Sequence, residues 1–81
     1  MLGSFAFTLY FEQQVLRKRP YLQRAWCVAV VNAPRRVEQQ PDGRYRFWGD
    51  VPELGDRVLR VVTLADRRTI HNAFPDRRFI P

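Results

Sequence analysis

The chain has 81 residues, 46% of them apolar and 14% aromatic, with a formal net charge of +6. That length holds one domain, residues 1–81, with no room for a second core, and the apolar content argues against disorder. One cysteine, one histidine and no long apolar run exclude an internal disulfide, a Cys-based metal site and a membrane span.

Residues 1–6 carry no basic leader or long apolar run and read as a loose arm rather than a signal peptide. Thr8 is placed to cap a helix, because its hydroxyl can accept from a backbone N–H two or three residues on. Leu9–Arg19 reads as the first helix, with Phe11 and Val15 four apart and Leu9 and Leu16 seven apart. Arg17, Lys18 and Arg19 load its last turn with charge that the helix dipole favours, and Pro20 ends it. Tyr21–Asn32 reads as the second helix, with Leu22, Trp26 and Val30 inward, stopped by Pro34. Cys27 lies in this apolar run and reads as a small core residue, so a reducing, cytoplasmic setting is expected.

The second half reads as strands. Arg36–Gln40 and Arg44–Gly49 flank the turn Gln40-Pro41-Asp42-Gly43, where Pro fixes φ and Gly tolerates positive φ. Residues 50–56 contain Pro52 and Gly55 and form a loop. Arg57–Leu64 and Thr69–Phe74 are the third and fourth strands, turning at Asp66 and Arg67, and Pro75 is expected to end the pairing. The expected fold is α+β: two N-terminal helices packed on one face of a four-stranded antiparallel sheet, in the order α-α-β-β-β-β.

Alternation sorts the strand residues. Tyr45, Phe47, Leu59, Val61, Ile70 and Phe74 form the core face beneath the helices, with Phe11 and Trp26 buried against it. The opposite face displays Arg44, Arg46, Trp48, Arg60 and His71, provided no bulge shifts the register. Thirteen of the 14 basic residues are Arg. A codon bias accounts for this as readily as selection does, but Arg also suits planar, bidentate contacts to phosphate.

Three stretches carry a resemblance: Pro41-Asp-Gly-Arg44 opening a strand, Leu59-Arg-Val-Val62 in the third strand, and Thr69-Ile-His-Asn-Ala-Phe-Pro75 in the last. With two short helices before a meander in a small basic chain, they resemble the RelE/ParE-like toxin superfamily with its BrnT-like and other small bacterial relatives. The resemblance implies a metal-independent endoribonuclease of a toxin–antitoxin system, or a gyrase poison, neutralised by an antitoxin. The chain departs from that pattern in having no His on the first helix and no Tyr after Tyr45.

Metal-free RNA cleavage needs a proton-transfer group and cations for the charge on phosphorus. His71 is the candidate acid or base, and Arg60 and Arg77 candidate phosphate holders. Arg44, Arg46, Trp48, Arg17, Lys18 and Arg19 are candidate RNA contacts, Trp48 by stacking a base. No metal-ligand cluster, nucleotide-binding glycine pattern or cofactor motif is present. The expected partners are RNA and an acidic antitoxin protein. The alternative is a nucleic-acid- or protein-binding module without catalysis.

Overall fold

The computed structural model describes residues 4–55 and 57–80. The chain opens with strand β1 (Ala6–Phe7), followed by the first helix. That helix has a π-helical turn over Phe11–Val15 running into α1 (Leu16–Lys18). Thr8 caps it as its sequence position predicts, its hydroxyl accepting from the Phe11 N–H at 3.0 Å. Helix α2 covers Arg24–Asn32, three residues shorter at its start than the apolar pattern predicts. An ion pair between Glu12 and Arg24 ties the two helices on the surface.

Strands β2 (Arg36–Gln39), β3 (Tyr45–Asp50), β4 (Val58–Thr63) and β5 (Thr69–Asp76) follow. The hairpin between β2 and β3 turns on Gly43 at φ 90, with the Asp42 carboxylate accepting from the Arg44 N–H. Pro75 does not end pairing: it lies opposite Leu59 inside β5. By that point β5 has lost its outer neighbour, since β1 pairs only with Thr69 and Ile70. A proline whose missing N–H faces an open edge costs no ladder bond.

The expected four-stranded antiparallel sheet is corrected. The sheet has five strands in the order β1-β5-β4-β3-β2, and β1 runs parallel to β5. A strand precedes the helices, so they are not the first elements of the fold. Two residues carry no alternation, and their partner lies at the far end of the chain. The expected arm therefore ends early: Ala6 donates its N–H to the Arg68 carbonyl at 3.1 Å, while residues 1–3 lie outside the described residues.

The core lies between the helices and one sheet face. Phe11, Val15, Cys27 and Val30 pack from the helical side against Phe47, Leu59, Val61, Ile70 and Ala73. Gly49 lets α2 approach β3 closely: a Cβ there would meet Val30 Cγ1 at 3.1 Å. Burial pushes the Cys27 thiol up to about 12, as befits an inert core residue.

A bulge revises the assignment of faces. Val62 pairs with Asn72 and Thr63 with Ile70, leaving His71 unopposed. The extra residue flips the alternation beyond it. Ala73, not Phe74, enters the core and is fully buried, while Phe74 turns to the uncovered face beside Arg60. Trp26 is only half-buried, because Cys27 takes the innermost position on α2.

Candidate nucleic-acid interface

The sheet face away from the helices is organised by one row of cross-strand neighbours. Arg36 on β2 pairs with Trp48 on β3, Trp48 with Arg60 on β4, and Arg60 with Phe74 on β5. Cation and ring alternate along this row. The Arg36 guanidinium lies 5.8 Å from the Trp48 ring, and Arg60 lies 5.6 Å from Trp48 and 5.2 Å from Phe74. Both ends extend it. Arg19, at the end of the first helix, lies 5.6 Å from Phe74. Phe79, beyond β5, lies 4.9 Å from Arg36 and 5.4 Å from Arg35. The result is a ladder from Arg35 through Phe79, Arg36, Trp48, Arg60 and Phe74 to Arg19. A guanidinium stacked on a ring keeps its N–H edge available for planar acceptors such as phosphate.

Asp76 anchors the middle of the ladder. Its carboxylate accepts from Trp48 Nε1 at 2.9 Å and lies 3.9 Å from Arg60 Nη1. Partial burial alone would raise its pKa, but the Trp48 indole, the Arg78 backbone N–H and the charges of Arg60 and Arg78 outweigh burial and hold it below the usual carboxylate range. Arg60 Nε and Arg46 Nε are buried without a hydrogen-bond partner among the described residues. Such unpaired buried atoms carry a cost in the folded protein.

His71 lies at the bulge in β5, beside the short β1 strand. Its Nδ1 is 3.0 Å from the Thr8 hydroxyl, and its ring stacks on Tyr10 with centroids 4.8 Å apart. The bulge and the parallel β1–β5 pair bring these groups together, since Thr8 follows Phe7, the partner of Ile70. Burial, then the Arg44 charge, lower the His71 pKa and favour the neutral ring.

The nine sequence-predicted residues are only partly brought together. Arg60 and Trp48 belong to the ladder, and Arg19 alone of the Arg17–Arg19 cluster reaches it, while Arg17 and Lys18 are exposed on α1. Arg46 sits between Glu38 and Val62 in the next row, and Arg44 lies near the His71 end, 3.9 Å from Asp42. Arg77 is exposed in the turn after β5, at the opposite end of that strand from His71. Arg60 faces Phe74, three residues from His71, roughly 10 Å along the strand. The proposed catalytic trio is therefore spread along β5 rather than gathered. Trp48 is 5% exposed, so it presents no open face for a base.

Arg35, Arg36, Phe79, Thr8 and Tyr10 are the participants that sequence reading missed. Arg36 had a signal: the Gln40–Gly43 turn fixes the hairpin register and sets residue 36 opposite Trp48. Phe79 and Tyr10 had none, because their partners are distant in sequence.

A cleft of about 500 Å³ lies on the helix-covered side, lined by Val31, Val37, Phe47 and Arg67 among others. It contains none of the nine residues. Among the described residues there is no cluster of potential metal ligands, and no helix is long and apolar enough to cross a membrane. No family model, curated protein or solved structure matches the chain.

Proposed function

We propose that this protein binds single-stranded RNA on the uncovered face of its sheet. The arginine–aromatic ladder carries the reading. It sets guanidinium groups at cross-strand spacing, each beside an aromatic ring, on a chain of net charge +6. Pre-ordered cations lose little freedom when they meet phosphate, and the row is long enough to follow a strand. Such a role fits a cytoplasmic setting.

Anisotropy titration of labelled single-stranded RNA at several salt concentrations tests it. Log affinity should fall with log salt by about 0.7 for each phosphate contact. Arg36→Ala and Arg60→Ala should each flatten the slope by about that step, whereas Arg77→Ala, off the ladder, should leave it unchanged. Affinity indifferent to salt would overturn the reading.

A second reading, metal-independent RNA cleavage as in toxin-like endoribonucleases, is favoured by the His71 site. In the tautomer whose Nδ1 proton is donated to Thr8, the neutral ring offers an Nε2 lone pair for a general base. Arg44, nearer than Arg60, would then hold the phosphate, and an acidic partner protein would restrain the activity. His71→Ala should lower cleavage by roughly 10²–10⁴-fold without weakening RNA binding. Chelator should change nothing. Unchanged cleavage in His71→Ala would remove this reading.

A further inference from the structure

Trp48 is nearly fully covered although it lies on the face away from the helices, and one of the rings against it, Phe79, comes from beyond the last strand. The last strand stops at Asp76. The residues after it return over the open face without joining the sheet. Asp76 accepts from the Arg78 N–H at 3.0 Å, which turns the chain. Phe79 then lies on Trp48, ring centroids 5.9 Å apart and planes tilted by 32°. One residue on, the Ile80 carbonyl accepts from Arg36 Nη2 at 2.8 Å.

The surroundings of Phe79 match those a nucleotide requires. An aromatic ring lies tilted against an indole that the Asp76 carboxylate holds by its N–H. Guanidinium groups of Arg35 and Arg36 lie beside that ring. An oxygen one residue along the chain takes the Arg36 hydrogen bond, much as a phosphate oxygen follows its base. Phe79 itself remains half-buried, so it is a cover rather than a core residue. Side-chain contacts hold it, without ladder bonds, and such segments open at low cost.

We infer that Phe79 fills a nucleobase subsite. Single-stranded RNA binds with one base displacing Phe79 from Trp48 and the adjoining phosphate taking the place of the Ile80 carbonyl on Arg36. The inference rests on the RNA-binding reading above and adds to it a defined stacking position and an internal competitor for it.

Removing the competitor tests it. Phe79→Ala is titrated against a short labelled oligoadenylate by anisotropy in otherwise unaltered protein. A parallel pair carries Trp26→Phe, so that Trp48 is the sole indole and its emission reports stacking. Phe79→Ala should bind roughly five- to tenfold more tightly than its parent, the scale of one base–aromatic stack. Its salt dependence should match the parent's, because no phosphate contact is removed. RNA should quench Trp48 emission in both proteins. If the parent binds RNA but Phe79→Ala binds no better, or Trp48 emission does not respond, the base subsite is overturned and RNA binding stands. If neither protein binds at low salt, both readings fall.

Discussion

The Trp48 indole N–H donates to the Asp76 carboxylate at 2.9 Å, joining β3 to the end of β5 across 28 residues of sequence. This bond fixes the ring at the centre of the ladder and sets the charge beneath it. The folded carboxyl titrates below its unfolded value of about 3.9. Its ionised form therefore contributes stability that is complete above that pH and is lost as pH falls through the lower folded value. Asp76→Asn should melt lower than wild type at neutral pH. Its melting temperature should decline less steeply below about pH 4. Parallel acid profiles for the two proteins would refute the linkage.

His71 follows the same sign in a higher window, with the protonated form now the charged one. Its folded pKa is depressed, so the unfolded chain binds the proton more readily. Stability should fall as pH drops below about 6.5, the unfolded value. Thr8, Tyr10 and Arg44 surround the ring. His71→Gln should flatten the melting profile between roughly pH 5 and 7. Loss of stability on raising pH through this window would contradict the assigned environment.

The core makes a ranking. Phe11 is fully buried against β5 and the helices, and Phe11→Ala should cost about 3–5 kcal/mol. That is enough to unfold many domains of this size. Trp26 is half-buried, so Trp26→Ala should cost less despite its larger side chain. Denaturant unfolding of the two variants gives the order directly, and an inverted order would show that α2 packs through a different face.

Gly49 sets the distance between α2 and the sheet. A methyl group there would press on Val30 at 3.1 Å, with the Val30 backbone close behind. Gly49→Ala should therefore destabilise by about 1–3 kcal/mol, as overpacking does. Gly43→Ala, at φ 90 in open space, should also destabilise, but through backbone strain alone. Relieving the contact with Val30→Ala should recover part of the Gly49→Ala loss and none of the Gly43→Ala loss, a difference that a double-mutant cycle resolves.

What was legible in the sequence is the local part. Helical stripes, the Pro41–Gly43 turn and the alternating runs fix α2 and strands β2–β5 to within a few residues, because each depends on neighbours in the chain. The same local logic placed Phe47, Leu59 and Val61 in the core. It could not place β1, whose two residues gain a strand only from β5. Nor could it foresee the bulge at His71, which exchanges Ala73 and Phe74 between the faces. Trp48 was assigned to the correct face, but its cover by Phe79 is a contact between residues 31 positions apart and leaves no periodic trace.

The parallel pairing of β1 with β5 also imposes an order of assembly. Thr8 and His71, which meet at that seam, are separated by 63 residues. Closing so long a loop is entropically costly until other contacts have formed. The hairpins can form from near neighbours, whereas the first strand must wait for the last. Ala6 and Phe7 should then be unstructured in the folding transition state, with φ-values near zero, while the β3–β4 hairpin is formed earlier. On the ribosome the N-terminal strand is made first and docked last. Until that moment the outer edge of β5 stands open at Thr69 and Ile70, the one stretch that β1 exists to cover.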